Sequence, residues 1–322
     1  MVKFLMVAAL AGVGVTVRAD ADTESLEVVG GAEPSFLPAG RTFRLVWNDE
    51  FQESRLDTSK WMFRTNFWGE RFRAFAAADE GAVVVTNGCA HLKIIKRGEG
   101  DYASPQLQTG ELMWDYPLDR GPGELWPLPK RQPAKFLHRF GYYECRAKLQ
   151  AHTGWWSAFW LQSENNGTCL DAERSGVEAD IMESFEPGRV LPSCFHCRGY
   201  GPFKDYIGFE SPRLPLGKSA HDVSDTVDVH EFHRFGMLWE PDGYTLYIDG
   251  RQRGPKVGRG QNRWGDPEQV SQVPQFVLLT TEVKWYRKNC RTGKALLPDV
   301  ENAWKAGDEF VVDYVRVFDL ED

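Results

Sequence analysis

Gly176-Val177-Glu178-Ala179-Asp180-Ile181-Met182-Glu183-Ser184 holds three carboxylates separated only by apolar side chains. Gly176 before the run and Pro187-Gly188 after it bound a short strand rather than a helix. On a strand, side chains alternate faces with period two, so Glu178 and Asp180 share one face and Ala179 and Ile181 the other. Strict alternation would send Glu183 into the apolar layer, where an unpaired carboxylate is costly. A β-bulge at Ile181-Met182 returns Glu183 to the face of its two neighbours. Like charges crowded on one face repel, and a merely solvated face gains nothing from them. Two carboxyl groups roughly 5–5.5 Å apart are what a retaining glycosidase needs.

Glu178-Ala-Asp-Ile-Met-Glu183 resembles the E-x-D-x-x-E signature of glycoside hydrolase family 16, in the bulged form of laminarinases and of agar- and carrageenan-cleaving members. Ala179 stands where that family usually has Ile, Leu or Val. The flanking sequence carries the resemblance outward. Gly141-Tyr-Tyr-Glu-Cys-Arg-Ala-Lys148 and Gly154-Trp-Trp-Ser-Ala-Phe-Trp-Leu161 resemble the two strands that precede the acidic one, with Ser157 in place of the usual Pro. Leu45-Val-Trp-Asn-Asp-Glu-Phe51, with Leu56-Asp57 and Lys60-Trp61, is similar to the family's first strand and turn. Asn87-Gly88 followed by Leu92–Ile95 reads as turn and strand, and Tyr102–Thr109 as a strand with Gln106 where the family often has Arg. Phe232–Gly250 gives two strands about a Pro-Asp-Gly turn. Gln275–Trp285 and Phe310–Phe318 complete the pattern, so the resemblance covers roughly residues 43–318.

Many short alternating strands, and no long amphipathic helix, indicate an all-β antiparallel sandwich. The resemblance implies a concanavalin A-like jelly roll with a cleft on its concave sheet. It also implies roles. Glu178 is the nucleophile, Glu183 the acid and then the base, and Asp180 lies between them and helps keep Glu183 protonated. Trp156, Trp160 and Trp285 are candidate sugar platforms or core residues, and His196 and Glu282 line the cleft. No cofactor is needed for catalysis. Asp313, with a backbone carbonyl near Gly88, is the position at which the family often holds a structural calcium, an ion that suits oxygen ligands.

Residues 1–19 read as a secretory signal peptide: Lys3, an apolar run from Phe4 to Val17, and Val17-Arg18-Ala19 as cleavage site. A retained membrane anchor is the alternative. Residues 20–36 are polar and without period, which predicts a flexible leader, and residues 37–322 make one catalytic domain. Export makes disulfides permissible among Cys89, Cys145, Cys169, Cys194, Cys197 and Cys290, with connectivity open. Cys194-x-x-Cys197 has no second pair, which argues against zinc. Asn166-Gly-Thr168 is a glycosylation sequon.

A net charge of −8 argues against a nucleic-acid partner. The expected partner is polysaccharide, and the expected state an extracellular or periplasmic monomer with no membrane partner. The Pro-rich loop 115–135 carries Trp126, a candidate sugar cap. Residues 251–263 hold five basic and no acidic side chains, which reads as a mobile basic loop able to attract an anionic glycan. A β-1,3-glucan is the first choice of substrate. A red-algal galactan of agar, porphyran or carrageenan type is the main rival, ahead of a transglycosylase and a non-catalytic glycan-binding protein on the same fold.

Overall fold

The computed structural model describes residues 22–64, 74–110, 133–164, 172–196, 225–258, 260–261, 267–268, 270–288 and 293–321. In chain order the strands are β1 (Thr23–Leu26), β2 (Ser35–Pro38), β3 (Phe43–Asp49), β4 (Met62–Phe63), β5 (Val83–Thr86), β6 (Cys89–Lys93) and β7 (Ile95–Gly98). Then come β8 (Asp101–Ala103), β9 (Gln106–Gln108), β10 (Gly141–Lys148), β11 (Trp155–Ser163), β12 (Val177–Glu186), β13 (Arg189–His196) and β14 (Asp225–Thr226). The last are β15 (His233–Glu240), β16 (Gly243–Ile248), β17 (Arg251–Gly258), β18 (Gly260–Gln261), β19 (Pro267–Glu268), β20 (Gln275–Val283) and β21 (Glu309–Leu320). Two helices interrupt them, α1 (Ala172–Ser175) and α2 (Leu297–Ala306).

Two antiparallel sheets carry the fold. One has seven strands in the order β14-β13-β12-β11-β20-β9-β4; the other has eight, β17-β16-β15-β10-β21-β6-β5, with β3 also on β21. Their facing sides share one apolar core. Phe159, Leu161, Ala179, Ile181, Val277 and Leu279 come from the seven-stranded sheet, and Tyr143, Cys145, Phe235, Trp239, Val315 and Val317 from the eight-stranded one. This is the antiparallel sandwich that the strand pattern predicts and the jelly roll that the resemblance implies. Its hairpins follow the turn chemistry of the sequence. Asn87-Gly88 (φ 53° and 73°) joins β5 to β6 through a two-residue loop with Thr86 opposite Cys89. Both central residues have positive φ, as the strand twist favours.

The predicted flexible leader is ordered. β1 and β2 pair with each other and lie on the outer face of the eight-stranded sheet. They cover a buried polar cluster. Glu144, fully buried, accepts from the Phe36 N–H (2.9 Å) and the Tyr314 hydroxyl (2.7 Å). Burial pushes its carboxyl above the usual range, and those two donors oppose the rise. Arg316, also fully buried, donates Nε and Nη2 to the two oxygens of Glu50 (2.9 and 2.7 Å) and Nη1 to the Glu33 carbonyl (2.8 Å). Arg234 donates to the Pro34 carbonyl and to Glu33. Charges taken out of water need such complete pairing. The partners lie some 110–280 residues away in sequence, so no local period announces them.

The predicted basic loop also differs. Arg251–Gly258 is β17, an edge strand of the eight-stranded sheet and thus no part of the sheet that carries the acids. Asp249-Gly250 (φ 48° and 76°) turns the chain back on β16. Lys256 pairs with Glu240 (2.9 Å) and Asp242. Arg259 and Arg263 lie outside the described residues. Cys145 and Cys89 are free thiols, the first buried in the core. Cys169, Cys197 and Cys290, the side chain of Cys194, the sequon at Asn166 and Trp126 lie outside the description. Among the described residues no helix is long and apolar enough to cross a membrane.

Candidate active site

β12 owes its shape to one extra residue. Against β11 it pairs Ser184 with Ser157, Glu183 with Ala158, Met182 with Phe159, Asp180 with Trp160 and Ala179 with Leu161. Ile181 has no opposite number, and the same extra residue interrupts pairing with β13 between Asp180 and Glu183. The bulge therefore falls where the spacing of the acids predicts it. Both Ile181 and Met182 enter the core beside Ala179, and the acids at 178, 180 and 183 face the other way. Gly176 opens the strand at φ +80°; a Cβ there would stand 2.4 Å from the Ser163 hydroxyl. Only glycine passes that point without displacing β11.

On the acid-bearing face, Asp180 is buried, whereas Glu178 and Glu183 are partly exposed. Glu178 Oε2 accepts from Gln162 Nε2 at 3.2 Å. Trp160, across from Asp180, donates its indole N–H to Thr280 Oγ1 (2.9 Å). Trp156 lies across from Glu282 and beside Phe185, ring centroids 5.0 Å apart. Lys284 Nζ stands 3.6 Å from the centre of the Trp156 ring, so one side of that indole faces a cation. Glu282 is buried and accepts from the Tyr286 hydroxyl at 2.6 Å. Behind Glu183, Gln150 Nε2 donates to the Ser184 carbonyl (2.6 Å) and its Oε1 accepts from Ser157 Oγ (2.7 Å). The serine standing in for the usual proline thus has a buried partner.

Trp285 departs from the platform reading. Alternation along this stretch places Glu282 and Lys284 on the acid face and Val283 and Trp285 on the other. Trp285 packs on the core and donates its N–H to the Tyr102 carbonyl at 2.7 Å. Gln106 donates to the Thr281 carbonyl within the same sheet. His196 ends β13 opposite Val177, and its side chain is outside the description. Sequence reading missed Arg64, Gln108 and Gln162, three buried polar side chains on this face. The signal available was a polar residue inside an apolar strand pattern.

The residues implied for calcium do not fit it. Asp313 Oδ2 receives the Arg146 guanidinium at 2.7 Å, and burial lifts its carboxyl above the usual range against that pairing. Gly88 packs against the Gln52 amide. Among the described residues no three His, Cys, Asp or Glu side chains gather as a metal group. A guanidinium already balances the charge that the metal would neutralise.

Over residues 130–274, a little under half of its length, the chain matches the model of Glycosyl hydrolases family 16. It is 25% identical over 232 residues to the glucan endo-1,3-beta-glucosidase A1 of Niallia circulans, covering 66% of this chain and 29% of that one. It is 23% identical over 282 residues to the keratan-sulfate endo-1,4-beta-galactosidase of Sphingobacterium multivorum, covering 86% and 56%. The chain spans between 29% and 63% of the length of the four curated relatives it matches. Among solved structures, the endo-beta-1,3-glucanase of Pyrococcus furiosus superposes with TM-score 0.59 at 23% identity, covering 88% of this chain and 96% of that one. At that identity the likeness speaks for the fold.

Proposed function

We infer that the protein is an exported endo-β-glycosidase that hydrolyses a polysaccharide with retention of configuration, a β-1,3-glucan in the first place. The observation that carries this reading is the bulge in β12, which sets three carboxylates on one strand face beside two tryptophans. The relatives named as a β-1,3-glucanase and a beta-glucanase support the substrate class. In the first step the ionised Glu178 attacks the anomeric carbon while Glu183 passes its proton to the departing glycosidic oxygen. A glycosyl ester of Glu178 remains. Glu183, now a carboxylate, takes a proton from water, the water oxygen attacks the same carbon, and the ester bond breaks. Asp180, between the two, disfavours a further negative charge on Glu183 and so keeps it protonated at rest. Trp156 and Trp160 border the sugar, and Glu282 belongs to the same wall. This mechanism uses no cofactor.

A second substrate, a sulfated galactan, is favoured by Lys284, a cation on the acid-bearing face at Trp156. The relatives named as a keratan-sulfate endo-1,4-beta-galactosidase and a beta-porphyranase agree with it. Export rests on residues 1–19, and amino-terminal sequencing of secreted protein is expected to begin near Asp20. Disulfides among the exported cysteines belong to the same reading.

One panel decides between substrates. Laminarin, mixed-linkage glucan, agar, porphyran and keratan sulfate are incubated with the enzyme and scored by reducing ends, and the first product of the best substrate is examined by proton NMR. The expected outcome is release from laminarin with the β-anomer formed first. An α-anomer formed first would overturn double displacement, and no release from any glycan would leave a binding protein.

A further inference from the structure

Three buried side chains, Arg64 just after β4, Gln108 on β9 and Gln162 on β11, form a hydrogen-bonded group that reaches Glu178 through Gln162. Arg64 follows β4 directly, its backbone N–H donating to the Gln106 carbonyl of β9 at 2.8 Å, and it is 2% exposed. Its Nε donates to Gln108 Oε1 at 2.8 Å and its Nη2 to Gln162 Oε1 at 3.2 Å. Its guanidinium lies 5.7 Å from the centre of the Trp160 ring. Gln162, on β11 and fully buried, then donates Nε2 to Glu178 Oε2 at 3.2 Å.

The direction of this chain is fixed by donor chemistry. A guanidinium only donates, so the amide end of Gln162 that meets Arg64 must be its oxygen. The NH₂ end is then turned to Glu178 and has no freedom to flip. A donor held on a carboxylate stabilises its ionised form. A cation bonded to the other end of the amide polarises that donor further. Asp180 and Glu183, on the same strand face, act in the opposite sense, and Phe195 is the position across β13. We propose that Gln162, locked by Arg64, is a positioning residue that keeps Glu178 ionised and in one rotamer for attack on the anomeric carbon. This rests on the catalytic reading of Glu178 given above, but its test does not depend on turnover.

The test is a carbon NMR titration of Glu178 in protein labelled with ¹³C-glutamate, for the wild type, Gln162→Leu and Arg64→Lys. The Glu178 resonance is assigned by its loss in Glu178→Gln. Gln162→Leu is expected to raise the Glu178 midpoint by about one pH unit, through loss of a hydrogen bond to the charged form. Arg64→Lys, whose single ammonium does not span Gln108 and Gln162 as the fork does, is expected to raise it by less. If the chain hydrolyses a glycan, the acid limb of kcat/KM moves with the titration. On that substrate kcat falls about 10- to 100-fold in Gln162→Leu with KM little changed. An unmoved Glu178 midpoint in both folded variants overturns the proposal, whatever the activity. If Gln162→Leu fails to fold, Arg64→Lys alone decides. A moved midpoint in a protein that cleaves nothing would uphold the relay and sink the hydrolase.

Discussion

Glu178 and Glu183 stand on one strand face yet meet different surroundings. Glu178 takes an amide donor from Gln162, and Glu183 sits opposite Ala158 on β11. The Gln162 donor favours the charged role for the first acid, and the proposed double displacement gives the protonated role to the second. The azide products of the two alanine variants on an activated glycoside test the assignment. Glu178→Ala is expected to give a glycosyl azide of inverted configuration, because azide takes the place of the nucleophile. Glu183→Ala is expected to give the retained azide, formed from the glycosyl-enzyme. Both lose at least about 10³-fold on polysaccharide, and Asp180→Asn loses roughly 10²–10³-fold, as a group that acts through charge and position. Products with exchanged configurations would exchange the two roles. At this scale the acids were legible because three carboxylates in so short a run conflict with strict alternation. Trp285 was not, because an aromatic residue near a strand end reads alike whether it faces core or sugar. Only the parity against Glu282 decides it.

β12 converts sequence spacing into geometry by one residue. Deleting Ile181 would leave Glu178-Ala-Asp-Met-Glu183, which alternates strictly and keeps all three acids on one face while Met182 stays inward. The expected outcome is a folded variant, destabilised by about 2–5 kcal/mol through the lost isoleucine packing, in which Glu183 stands one residue closer to Asp180 and hydrolysis is slowed but not abolished. Thermal unfolding with an activity assay checks both. A variant with no measurable hydrolysis would show that the bulge sets the distance between the acids and not only the face they share. The bulge could be read from the chain because hydrophobic and charged residues disagree about the face. The buried clip of Gln150, Ser157 and Ser184 behind it could not, since serine and glutamine fit a core only when their partners are known. The edge strand β17 was also hidden. Arginines, a proline and glycines are loop composition in general, and they are also what keeps an exposed strand edge from recruiting another chain.

Over the whole molecule the sandwich was foreseen and its amino-terminal border was not. The ordered segment Asp22–Pro38 is held through Glu33, Pro34 and Phe36 to Arg234, Arg316 and Glu144. Removing residues 1–38 would expose those two arginines and the carboxylate of Glu144 with half of their partners gone. The expected result is a fall in Tm of 10 °C or more, or failure to fold, whereas removal of residues 1–19 leaves Tm within about 2 °C. Calorimetry of the two truncated chains checks it, and equal melting would reduce the hairpin to decoration. The same clasp bears on the order of events at synthesis. Arg316 and Tyr314 lie on the last strand, and the segment they hold is among the first to be made. A chain emerging amino end first therefore carries an early segment whose docking is complete only when β21 arrives. Long-range closure of this kind slows folding. If the chain is exported unfolded, as proposed, that delay keeps it pliable until its final strand is through.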